Sequence, residues 1–100
     1  MWMEEILKIK KENLQKVKEM LLKDEQVSRA SIVFKEASSL GFEGEDYYCY
    51  LSGPDELIKK AKELVKELSE EVGEKDKKEI IKKIKEEEEK AMTGFGSIFG

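Results

Sequence analysis

The chain has 100 residues, 39% of them hydrophobic and 42% charged, with a formal charge of −4. That is enough chain for one domain with a single modest core, and the negative balance withholds the global field that draws DNA or an anionic membrane. Histidine is absent, which excludes imidazole catalysis and imidazole-bound zinc, and the single cysteine, Cys49, excludes an intrachain disulfide.

The charge is nearly all Lys and Glu, with few Asn and Gln. That bias is the compositional mark of proteins from heat-loving sources. No segment approaches the roughly 20 apolar residues of a membrane span. Met1–Glu5 lacks the basic-then-apolar layout of a signal peptide, so the expected compartment is the cytoplasm.

Residues 1–12 read two ways. Met3, Leu7 and Ile9 alternate with polar neighbours as in a strand, while Ile6, Leu7 and Ile9 could open a long helix. The polar run Lys10–Asn13 would interrupt a helical stripe, which favours a strand over 3–9. Asn13 then caps a helix to Lys23 that turns Leu14, Val17, Met20 and Leu21 inward. Asp24–Gln26 is a turn. Val27–Ala37 is a second strand candidate, with Ala30, Ile32 and Phe34 on one face and Ser31, Val33 and Lys35 on the other. Residues 38–46 are a loop, given freedom by Gly41 and Gly44.

The stretch from Tyr47 to Leu68 is the clearest in the chain. Tyr47–Leu51 suits a pleated, half-buried surface. Gly53-Pro54 stops it, Pro54 fits the first turn of a helix, and Asp55 and Glu56 favour the positive end of the helix dipole. Leu57, Ile58, Ala61, Leu64, Val65, Leu68 and Val72 form one stripe, which predicts a helix ending at Gly73. A third helix follows, marked by Ile80, Ile81, Ile84, Ala91 and Met92 and capped by Asp76. Its second half has little to bury within the chain. The last eight residues, Thr93–Gly100, are uncharged and glycine-rich and carry Phe95, Ile98 and Phe99. The organisation expected is a single α+β domain over 1–92 and a flexible apolar tail over 93–100.

The order strand, helix, strand, strand, helix over about residues 3–73 resembles the βαββα portion of a ferredoxin-like fold, as in ACT-type regulatory domains and RNA-recognition-motif domains. An extra C-terminal helix follows, and the usual fourth strand has no good candidate. The alternative is an αββα unit whose hairpin pairs across a dimer. Both leave an open sheet edge, and open edges invite pairing, so a homo-oligomer is expected. The RNA-recognition-motif resemblance implies that Tyr48 and Tyr50 could stack on the bases of single-stranded RNA. The ACT-type resemblance implies a small-molecule site near the first loop or at a subunit interface.

No catalytic constellation emerges. Cys49 alternates with tyrosines in a strand and reads as an inert core thiol. Glu43, Glu45 and Asp46 could offer oxygen to a cation but lack the spacing of a calcium loop, and read as a solvated turn. Glu86–Glu89 fan around a helix axis and cannot converge on an ion. Gly94-Phe95-Gly96 fails the dinucleotide fingerprint, because neither a strand before it nor a helix after it is in place. The expected function is therefore non-enzymatic, without metal or cofactor. The expectation is a self-associating module that binds a protein partner through the third helix and tail. The candidate contacts are Phe95, Ile98 and Phe99, with Tyr48 and Tyr50 on the sheet. RNA is disfavoured as a partner for so acidic a chain, and DNA and membrane are not expected partners.

Overall fold

The computed structural model describes the backbone of residues 1–99 and the side chains of residues 1–89. In chain order the elements are β1 (Trp2–Ile9), α1 (Leu14–Lys23), β2 (Ser31–Glu36), β3 (Tyr47–Pro54), α2 (Asp55–Leu64), β4 (Glu70–Glu71) and α3 (Glu74–Phe99). Single 3-10 turns at Lys11–Asn13, Val27–Arg29, Ser38–Leu40 and Lys66–Leu68 join them. The four strands form one antiparallel sheet in the order β2-β3-β1-β4. The protein is thus α+β, with a four-stranded antiparallel sheet and three helices.

Alternation along the strands sends each residue set to its own layer. Leu7 and Ile9 of β1 and Cys49 and Leu51 of β3 meet Val17 and Leu21 of α1 and Ile58 and Ala61 of α2. Each of these is essentially fully buried. Leu7 lies opposite Cys49, and Phe34 of β2 lies opposite Cys49 on its other side, so the thiol is in the middle of the sheet. On the opposite face, Ile6 of β1 packs with Leu40, Ile80 and Ile84, flanked by Phe42, Tyr48, Tyr50 and Val72. The sheet is therefore covered on both sides, by α1 and α2 on one and by α3 on the other.

Several sequence expectations change. Residues 2–9 are strand, and the hairpin β2–β3 pairs with β1 of its own chain, which overturns the αββα alternative. The fourth strand exists: Glu70 and Glu71 pair with Lys8 and Leu7. Two residues flanked by charge leave no periodic signal, and only the neighbouring strand makes them a strand. The predicted long second helix ends at Leu64 rather than Gly73. Leu68 stays in the stripe because a 3-10 turn, with a period of three, keeps it on the same side. Val72 instead crosses to the other face of the sheet.

Local signals shift as well. Pro54 precedes α2 in extended conformation instead of opening it, because β3 runs on until Pro54 lies opposite Trp2. Asn13 makes no side-chain cap, since a 3-10 turn already leads the chain into α1. Asp76 lies inside the first turn of α3 rather than at its cap. The first residues of the second strand candidate form the turn Val27–Arg29, held by Asp24, whose carboxylate accepts from the backbone of Gln26 and Val27 at 2.9 Å. Gly41 has a φ of 89°, a left-handed value that closes the turn carrying Leu40 and Phe42 under α3.

Candidate interaction surface

The path of α3 sets which surfaces remain. Near its start, Lys77 reaches Glu5 of β1 at 2.9 Å. One to two turns on, Ile80 and Ile84 seat on Ile6, Tyr48 and Tyr50. Glu87 then pairs with Lys35 of β2 at 3.3 Å. The helix crosses the sheet from β1 over β3 to β2, and at Glu87 it stands over the outermost strand. Residues from Glu88 to Phe99 continue the helix past that point.

Tyr48 and Tyr50 lie beneath this helix, half-buried. Tyr48 meets the Phe42 ring edge-on, with centroids 5.7 Å apart, and the Lys83 ammonium lies 4.9 Å from the Phe42 ring centre. The Tyr50 hydroxyl donates to Glu4 Oε2 at 2.5 Å. Burial first, and then the Glu4 carboxylate, push the Tyr50 phenol up to about 12. Rings held this way serve as packing surface for α3. Phe95, Ile98 and Phe99 fall within α3, and their side chains, like the rest of the tail, lie outside the described residues.

The edge of β2 was not singled out by sequence reasoning. Its uninterrupted run Ile32-Val33-Phe34, apolar on both faces and half-buried, is the signal that could have found it. Antiparallel pairs alternate between hydrogen-bonded and open. The Ala37 N–H donates to the Asp46 carbonyl at 2.9 Å. Stepping by two along the register of β2 with β3 makes Val33–Tyr50 and Lys35–Tyr48 the bonded pairs. The N–H and C=O groups of Ile32, Phe34 and Glu36 therefore point away from β3, at the outer edge of the sheet. Beyond that edge the described residues supply no further strand.

Chemical candidates fare differently. Cys49 is fully buried, and burial pushes its thiol up to about 12, so it is no nucleophile near neutral pH. Of the loop acids, Asp46 pairs with Lys8 at 3.4 Å. Among the described residues no group of three or more Cys, Asp or Glu is arranged to hold a metal ion. A groove of about 490 Å³ between α2 and β4 is lined by Lys59, Lys62, Lys66 and Glu71 over Leu7. Lys62 in it is already committed to Glu5 at 2.6 Å and to Glu71. Among the described residues no helix is long and apolar enough to cross a membrane. Comparison with known proteins returned no matching family, no similar curated protein and no similar solved structure.

Proposed function

We propose that this chain is a small, cytoplasmic, non-enzymatic interaction module of ferredoxin-like architecture that self-associates and meets a protein partner through the C-terminal half of α3. The strand order β2-β3-β1-β4, with α1 and α2 on one face, supports the ferredoxin-like reading, and α3 is the added element. One observation carries the functional reading. The first half of α3 is occupied by its own sheet through Ile80 and Ile84, yet the helix runs on beyond the last strand. Ala91, Met92, Phe95, Ile98 and Phe99 recur there at spacings of three and four, the pattern of a helix stripe that needs cover.

Against RNA binding on Tyr48 and Tyr50 stands the packing of both half-buried rings beneath α3. Small-molecule sensing keeps one supporting observation, the lysine-lined groove between α2 and β4. The deciding experiment is light scattering after size exclusion on three proteins: the full chain, a chain ending at Glu89, and the full chain with Phe95, Ile98 and Phe99 all changed to Ser. The expected result is an oligomer for the first and a lower mass for the other two. A monomeric full chain defeats self-association. An unchanged mass in both variants removes the C-terminal half of α3 from the contact.

A further inference from the structure

The proposed self-association has a seam written into the fold, and the seam rests on that reading of the chain. We infer that two copies join through their β2 edges, antiparallel about a two-fold axis at Val33, into one continuous eight-stranded sheet. Three independent features converge on this edge.

The first is backbone supply. Ile32, Phe34 and Glu36 direct their N–H and C=O groups outward, as the Ala37–Asp46 bond and the register with β3 require. A two-fold axis through an antiparallel pair must place a residue opposite itself. An axis at Val33 sets Ile32 opposite Phe34 of the second copy. Both have outward-facing backbone groups, so the two symmetric pairs bond without a shift. Val33 then faces its own copy as an open pair, where side chains approach most closely.

The second is side-chain complementarity. With the axis at Val33, the apolar run lies on the apolar run: Ile32 on Phe34 on the α1/α2 face, Val33 on Val33 on the α3 face. Lys35 then meets Ser31, and no like charges are opposed. Moving the axis one residue to Phe34 keeps the bonding parity but sets Ile32 against Glu36 and Val33 against Lys35. The axis at Val33 is therefore favoured on chemistry.

The third is the course of α3. It leaves the sheet over β2, at Lys35, and about twelve further residues extend it by about 18 Å. In a lone chain that length projects past an edge. With a second sheet continuing from the edge, it lies over the neighbour, and the two-fold axis runs the two α3 helices antiparallel on one side of the joined sheet. Edge and stripe then find cover in the same partner, a second copy.

The test is cysteine cross-linking of the full-length protein under mild oxidant, combined with its native mass. Cys49 is a silent background thiol because it is fully buried. Val33→Cys preserves size at a half-buried site, and is expected to give a covalent dimer whose linked peptides are 33 with 33. Ile32→Cys is expected to stay uncrosslinked, since its own copy lies two residues off register, beyond the 7 Å reach of a disulfide. Val33→Lys, with two like charges face to face, is expected to lower the native mass by half. A dimeric protein that cross-links through Phe34→Cys instead, or through neither, overturns the seam and leaves self-association standing. A monomer that does not cross-link at Val33→Cys overturns both and leaves the edge to a strand from a different protein.

Discussion

Glu5 joins more of the molecule than any sequence pattern announces. Its side chain is only 13% exposed, and its two oxygens accept from Lys62 of α2 at 2.6 Å and Lys77 of α3 at 2.9 Å. Those lysines in turn reach Glu71 of β4 and Glu74. Burial alone would raise the Glu5 carboxyl, but the hydrogen bonds and charges of Lys62 and Lys77 outweigh it and hold the group below its usual value. The hydrogen bonds to Glu5, with those to Glu71 and Glu74, raise both lysines. A carboxyl depressed by folding contributes stability that is complete above its unfolded value and is lost as pH falls through the folded one. A raised lysine contributes below its unfolded value and loses that as pH rises through the folded one. The clasp should therefore be fully formed between about pH 5 and pH 10. Glu5→Ala leaves two partly buried ammonium groups with only the exposed carboxylates of Glu71 and Glu74 as partners. The expected cost is about 1–2 kcal/mol at pH 7, below that of a fully buried pair because both lysines retain some water. Urea unfolding of both proteins at pH 7 and pH 3 checks it. The difference should shrink at pH 3, and equal stabilities at pH 7 would remove the clasp.

Among the elements, α3 decides most. It turns a two-layer arrangement into three layers and converts a tyrosine-bearing face into core. Ile84 is fully buried at the centre of that contact. Ile84→Ala deletes its contacts and leaves a gap the sheet cannot close, which should cost about 2–4 kcal/mol. A second readout separates undocking of α3 from general loosening. With α3 seated, burial first and then the Glu4 carboxylate push the Tyr50 phenol up to about 12. If α3 lifts, burial falls and the value should drop toward the ordinary phenol near 10. Ultraviolet titration of the variant, taken as the difference from the same variant carrying Tyr50→Phe, reports this group among the three tyrosines. An unshifted Tyr50 would mean that α3 stays down without Ile84. The other elements show how an edge is managed at one side and left open at the other. On the β1 side, β4 pairs Leu7 and Lys8, and Lys77 closes over Glu5. On the β2 side, Ile32, Val33 and Phe34 form an edge with no further strand paired to it among the described residues. Proteins blunt such edges with charge or proline, or pair them.

At the scale of the whole molecule, charge is spread as ion pairs that join neighbouring elements rather than as one field. Lys60 holds Asp24 across α2 and the end of α1, Lys8 holds Asp46, and Lys35 holds Glu87. The cluster around Glu5, Lys62 and Lys77 is the networked part of this charge, and such networks gain weight with temperature, as the cost of desolvating ions falls. The full chain should unfold above about 80 °C at low ionic strength, beyond the range of mesophile domains, and calorimetry checks it. A midpoint near 60 °C would mean that the Lys/Glu bias does not serve heat. Much of the architecture was legible in the chain itself. The strand expected over 3–9 rests on the polar run Lys10–Asn13, which interrupts a helical stripe, whereas α1, the hairpin and the start of α2 follow from local periodicity, because alternation by two and by three to four reports which side of a segment is covered. The absence of histidine and the single cysteine set the available chemistry equally firmly. Other features had no local signal. Glu70–Glu71 is a strand only because β1 lies beside it, and Val72 parts from the α2 stripe only because a second apolar face exists to receive it. Glu5 is an ordinary acid in a strand until Lys62 and Lys77 arrive from 57 and 72 residues away. Tyr48 and Tyr50 change from open rings to packed ones when α3 crosses them. Composition and periodicity determine which groups a segment must hide. The tertiary fold alone decides what hides them, because cover comes from parts of the chain too distant in sequence for any local pattern to encode.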